Sequence, residues 1–166
     1  MSNTFLDGNV YVNGTLGCKG AVAFPAGSIT AAMINSLAGI PATALQHQVS
    51  QRLAQEYTAT AAASRQVVHV CRAAGQLVEF VAGVAQVSTG NATITVKLRL
   101  GGTDVLNTDL TIDNTYTAYS LAATNSFTSA TLAAGNVLEI DVSVNAGTGA
   151  LGKGFFAMVK LWENAQ

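Results

Sequence analysis

Few side chains in this sequence have the type and spacing that chemistry needs, and they are scattered. His47 and His69 are the two histidines, and Cys18 and Cys71 the two cysteines, among 166 residues. A metal site wants several nitrogen, sulfur or oxygen ligands at close spacing, and neither cysteine has a second thiol near it. His69 sits among valines in Val67-Val-His-Val-Cys71, where a half-buried, hydrogen-bonded imidazole is expected. Asp104, Asp109 and Asp113 form the densest carboxylate group. They lack the alternating oxygen ligands and terminal Glu of an EF-hand loop, so solvated hairpin ends are expected, with a loose calcium site as the rival.

Hydrolytic and phosphate chemistry find no better footing. A glycosidase pair would draw on Glu79, Glu139 and Asp141, since it needs two carboxylates on facing elements. Glu139 and Asp141, however, fall on the polar side of a regular strand pattern. Gly147-Thr-Gly-Ala-Leu-Gly152 has the G-x-G-x-x-G spacing, but it precedes a strand, so no helix N-terminus is there to receive a phosphate. A flexible loop is expected instead. Neither Gly-x-Ser-x-Gly nor a phosphate-cradling Gly-x-x-x-x-Gly-Lys-Ser/Thr occurs, and each would be needed for its chemistry. The expectation is a non-enzyme with no cofactor and no bound metal.

Composition points to a packed structural part. Only 10% of residues are charged, net charge is −1, and hydrophobic types reach 49%. Nucleic-acid and anionic-membrane binding both need clustered Lys and Arg, so neither partner is expected. Two distant cysteines do not make a disulfide framework; both are read as free thiols, with Cys71 a small buried residue. The first residues, MSNTFLDGNVYVNG, lack the basic start and apolar run of a signal peptide, and no segment has the length of a membrane span. Synthesis and folding in a cytosol are expected.

The elements that must position any site are mostly strands. In Ala92–Leu100, ATITVKLRL, apolar residues alternate with Thr93, Thr95, Lys97 and Arg99. A period of two means one buried and one solvated face. Similar patterns predict strands at 46–57, Val67–Cys71, Gln76–Gln86 (bent or bulged at Gly83), Val105-Leu106, Leu110–Ile112, Tyr116–Leu121, Ser129–Leu132, Val137–Val144 and Phe155–Trp162. Regular turn signals between short strands, with no βαβ alternation, predict an all-β antiparallel sandwich, jelly-roll-like, over 47–166.

Residues 1–46 differ. Asn9–Val12 suits a short strand, glycines follow, and Ser28 caps an expected helix with Ile29, Met33, Ile34 and Leu37 on one side. Such a helix cannot bury its apolar side alone, so this arm, with Phe24, is expected to dock on a neighbour. The last strand is apolar on both faces: Phe155, Ala157, Val159 and Leu161 on one, Phe156, Met158 and Trp162 on the other, broken only by Lys160. One face is core. The second needs a subunit contact or the arm.

The words Pro25-Ala-Gly-Ser-Ile-Thr30 and Gly39-Ile-Pro-Ala-Thr-Ala-Leu-Gln-His47 resemble small virion proteins of tailed bacteriophages that decorate or cement the outside of the icosahedral head. That resemblance implies an arm followed by a β-sandwich, assembly as a homotrimer, and binding to the major capsid protein. It implies Phe24, Ile29, Met33, Ile34 and Leu37 as capsid or neighbour contacts, and Phe156, Met158 and Trp162 as the subunit interface. Similar sandwiches occur at the tips of phage tailspikes and fibres, so a receptor- or carbohydrate-binding module, with a host surface glycan as ligand, is the alternative.

Overall fold

The structure, a computed structural model, describes residues 46–164. The expected arm strand and helix, Phe24, Ile29, Met33, Ile34, Leu37 and Cys18 lie outside the described residues.

Ten strands fill this segment: β1 (Gln46–Ala54), β2 (Ser64–Val70), β3 (Gly75–Gln86), β4 (Thr93–Leu100), β5 (Thr103–Asp104), β6 (Leu110–Ile112), β7 (Leu121–Thr124), β8 (Thr131–Leu132), β9 (Val137–Asn145) and β10 (Lys153–Asn164). They build two sheets. The first runs β1-β10-β3-β7 with β8 also on β3; the second runs β2-β9-β4-β5 with β6 also on β4. Every pairing is antiparallel. The chain switches sheets between β1 and β2 and again between β9 and β10, while β1 pairs with β10 and β2 with β9. An antiparallel ribbon wrapped this way around two sheets is a jelly roll. The all-β sandwich expected from the alternation is what forms.

Alternation fixes the core. Val96 and Leu98 stand opposite Val142 and Ile140 within their own sheet, Ile94 and Leu138 share that face, and all six are at most 2% exposed. Phe80, Val84, Phe155, Val159 and Leu161 close the core from the other sheet. The opposite face of β4 and β9 is charged and solvated. Arg99 Nε donates to Asp141 at 2.8 Å, Arg65 binds Glu139, and Lys97 Nζ lies 3.3 Å from Asp104 and 2.9 Å from Asp109. Lys97 and Arg99 stand directly opposite Asp141 and Glu139, yet Arg99 bonds the diagonal neighbour Asp141. Sheet twist brings diagonal pairs within reach of long side chains. Solvent screens such surface pairs, so each contributes little to stability. The lysine ammonium occupies the space between Asp104 and Asp109 where a loose calcium site was the rival expectation, while Asp113 instead accepts from the Thr115 N–H and hydroxyl. Those two bonds hold its carboxyl below the usual range.

Three local expectations are corrected. Gly83 is not a bulge: it pairs regularly with Phe156, and a Cβ there would come 2.7 Å from the Phe156 ring. The glycine gives the ring its place, and the register shift falls elsewhere, between Lys160 and Leu161. Val105-Leu106 is buried non-strand chain beside β5, its Asp104 carboxylate accepting from the Leu106 N–H. Residues 116–120 turn rather than extend, because Ser120 Oγ both donates to the Thr117 carbonyl and accepts from the Thr117 N–H, and Tyr119 takes φ 63°. Local side-chain bonds to backbone override the strand preference of Tyr and Leu.

The glycine-rich loop is also pinned, not flexible. Asn91 Oδ1 accepts from the Thr148 N–H at 2.6 Å, Thr89 Oγ1 from the Ala150 N–H, and Ser88 Oγ from the Gly152 N–H. Those amides are spent on 88–91 and cradle no phosphate. Gly149 lies so close that a Cβ would overlap the Thr89 carbonyl oxygen. Gly149→Ala therefore forces the two loops apart and costs about 1–3 kcal/mol, read as a lower urea midpoint with an unchanged slope. An unshifted midpoint would show that the loops do not hold each other.

Candidate functional site

The outer face of the β1-β10-β3-β7 sheet carries the strongest departure from a solvated surface. Cross-strand register defines its rows. Ala54, Phe156, Gly83 and Leu121 form one; Arg52, Met158, Val81 and Ala123 form the next. Val81 and Ala85 are 5% and 7% exposed although they lie outside the main core cluster, so a second apolar layer has begun to form here. Leu121 remains 51% exposed. Arg52, Leu53, Val81, Leu121, Phe156 and Met158 line most of a groove of about 310 Å³. One further row on, Lys160 stands opposite Glu79 and Ser50, and beyond it Trp162 lies between Gln48 and Gln76.

Two exposed tyrosines stand near the start of β7. Tyr57, in the β1–β2 connection, and Tyr119, two residues before Leu121, join through their hydroxyls at 3.3 Å, Tyr119 donating. That bond raises the Tyr119 phenol pKa. Tyr119 holds its left-handed backbone conformation while its N–H donates to the Val84 carbonyl. A non-glycine residue at positive φ is uncommon and costs energy. Six large hydrophobic residues are exposed among those described, and Tyr57, Tyr119 and Leu121 are half of them. Exposed Tyr and Leu beside half-buried Phe and Met, with Arg at the rim, resemble the composition of a protein-contact surface.

Of the three residues expected at a subunit interface, Phe156 and Met158 belong to this patch. Trp162 shares their face but stands apart, behind Lys160. Val81, Leu121, Tyr57 and Tyr119 were not expected there. Val81 and Leu121 carried no separate signal, since only the register of β3 on β10 and β7 reveals their side. Tyr57 could have been found as the one large aromatic in the small, polar stretch after β1.

A second cluster gathers the chemistry-bearing residues. His69 Nε2 lies 3.0 Å from Glu163 Oε1, and the Arg72 N–H donates to that oxygen at 3.1 Å. The Cys71 thiol also lies within 4.8 Å of a Glu163 oxygen, and burial followed by the carboxylate charge pushes its pKa up from 9.0 to about 11. A reactive cysteine needs the opposite shift. The half-buried, hydrogen-bonded state expected of His69 and the burial expected of Cys71 are found, but Glu163 as their common partner was not legible. Cys71 is folded neutral and ionises more easily when unfolded. The unfolded state therefore binds fewer protons above pH 9, and stability falls as pH rises from 9 through about 11. Cys71→Ala should flatten that decline in urea melts across the window; an equal decline in both proteins would assign it to other groups.

The carboxylates weighed for glycosidase chemistry are not brought together. Glu79 lies on the outer face of one sheet, in a shallow depression with Val78, Thr124 and Asn125, and Glu139 and Asp141 lie on the outer face of the other, paired with Arg65 and Arg99.

No protein-family model matches this sequence, and no curated protein matches it. Among solved structures, a chain in the structure of infectious bursal disease virus, Gt strain, aligns over 73% of this chain and 37% of its own, at 11% identity and a TM-score of 0.27. A likeness at that level carries no argument about fold or function.

Proposed function

We propose that this chain is a structural virion protein that decorates and stabilises the outer surface of a phage icosahedral capsid, as a homotrimer. The observation that carries the reading is the apolar, tyrosine-rimmed patch over Phe156, Met158, Val81 and Leu121, on a sandwich whose other outer face is charged. Seven of the chain's 17 charged residues (8 basic plus 9 acidic) are Arg65, Lys97, Arg99, Asp104, Asp109, Glu139 and Asp141 on that second face. One face thus suits solvent and the other a neighbour. Copies in a ring bury such a patch when the rotation closes. The basic residues named are each held by a carboxylate, which fits a partner that is neither nucleic acid nor membrane. The major capsid protein is the proposed lattice partner, reached through residues 1–45, in line with the phage resemblance of that stretch.

Light scattering on the full chain should give the mass of three copies, and incubation with mature heads should leave it bound. Without residues 1–45 the sandwich should still fold and trimerise but bind heads at least tenfold more weakly, because multivalent attachment is lost. A monomeric full chain, or undiminished head binding by the shortened chain, contradicts the reading. The alternative, a glycan-binding module, draws on Trp162 between two glutamines and on the Tyr57–Tyr119 pair, since sugars stack on aromatic faces. Glycan-array binding that is lost on Trp162→Ala or Tyr119→Ala would favour it.

A further inference from the structure

His69 and Cys71 stand two residues apart and Glu163 comes from the far end of the chain, yet their donor atoms, a ring nitrogen, Sγ and a carboxylate oxygen, all lie within 4.8 Å of one another. They stand where the edge strand β2 of one sheet approaches the penultimate residue of β10 in the other. We propose that these three residues form a zinc site that ties the two sheets together, with the fourth position left to water. This inference is independent of the virion reading.

Four features of the fold support it. The donor set is mixed sulfur, nitrogen and oxygen, which suits zinc over magnesium or calcium. Bond lengths of about 2.0–2.3 Å place tetrahedral donors about 3.4–3.6 Å apart, so atoms within 4.8 Å, with the closest pair at 3.0 Å, close on an ion by shifts of about 1 Å or less. Cys71 is 2% and Glu163 7% exposed, while the His69 side chain keeps 12% of its surface open as an entry path. The β2–β9 register shifts between Val67 and His69, and such irregularities re-aim a side chain next to functional sites. Here the imidazole is turned onto Glu163.

An outer layer of bonds is already in place. The Cys71 N–H donates to the Asn136 carbonyl and its own carbonyl accepts from the Gly135 N–H, both at 2.8 Å. The Arg72 N–H holds Glu163, and the Gln51 side-chain amide lies 3.5 Å from His69 Nδ1. Zinc would displace the thiol proton to solvent. The imidazole would then carry its proton on Nδ1, and Gln51, whose amide nitrogen now faces that atom, would accept it after turning its amide to present the oxygen. Thiolate, carboxylate and neutral imidazole together balance the charge of the ion.

The test is a titration of the full, reduced chain with cobalt(II), the spectroscopic stand-in for zinc. One equivalent should produce a thiolate-to-cobalt charge-transfer band and the intense visible bands of a tetrahedral ion, and zinc should abolish both. Cys18→Ser should leave the spectrum unchanged, which assigns the thiolate to Cys71 without relying on the folding of a Cys71 variant. Glu163→Gln should weaken cobalt binding by more than the roughly 10–100-fold typical of losing an outer partner, and zinc should raise the melting temperature of the wild-type chain. Absence of the charge-transfer band at one equivalent, or its loss in Cys18→Ser, overturns the proposal and leaves the cluster a hydrogen-bonded joint.

Discussion

Leu121→Asp should take the assembled protein apart while leaving each sandwich folded. Leu121 is half exposed at the end of the row Ala54, Phe156, Gly83 and Leu121, so its replacement disturbs little within one chain. In a buried contact the same change removes half of the roughly 1.5–3 kcal/mol that full burial of a leucine is worth, since Leu121 is 51% exposed beforehand, and places a carboxylate against Phe156 and Val81 of an apolar groove, where an unpaired charge is costly. Together these exceed the roughly 2 kcal/mol that marks an interface hot spot, so the concentration for half-assembly should rise more than about thirtyfold. Sedimentation should show monomers where the wild type shows trimers, with an unchanged circular dichroism spectrum and melting curve at high dilution. A trimer that survives Leu121→Asp would move the subunit contact away from this face. Phe156→Ala is a less discriminating probe, because the ring also covers Gly83 within its own chain.

Phe155→Ala should have the largest effect on the folded chain itself. Its ring is fully buried on the inner side of β10, next to Phe156 on the outer side, and it closes the core with Phe80 and Val84. Removing a buried phenylalanine costs about 3–5 kcal/mol through lost burial and the cavity left behind. Domains of this size are stable by only about 5–15 kcal/mol. The urea midpoint should fall by a fifth or more, or the variant should fail to fold at 37 °C. A fall of under about 1 kcal/mol would mean that the core had collapsed around the site or that β10 is not central to it.

These two adjacent phenylalanines show how far the sequence could be read. Strict alternation in β4, β9 and β10 reports which side chains share a face, because the side-chain period in a strand is two. The sandwich and its core were therefore legible from Ile94, Leu98, Ile140 and Phe155. So was the apolar second face of β10. What alternation does not report is which strand lies beside which, and every property of the candidate site depends on that. Val81 and Leu121 join Phe156 only through register, and Trp162 is set apart only because the row before it is Lys160 and Glu79. His69 and Cys71 stand two positions apart, but Glu163 is 94 positions from His69, and no local spacing announces that meeting. The turn at 116–120 was hidden differently: Thr117 and Ser120 bond their own backbone, and that local competition outweighs the strand preference of Tyr116, Tyr119 and Leu121. Of Lys97 and Arg99, only Arg99 pairs with a carboxylate of β9, while Lys97 is taken by Asp104 and Asp109, which alternation alone does not place beside it.

The asymmetry between a charged outer face and an apolar, tyrosine-rimmed one is what the proposed role rests on. On the proposed reading it would mark a part built to sit against copies of itself, with the contact on β10, β3 and β7. Image reconstruction of intact particles carrying this protein tests that role most directly. The account predicts sandwich-shaped density in groups of three on the outside of the head, with β10 and β7 facing the local three-fold axis. Density confined to the tail tip, or heads with no such groups, would contradict it.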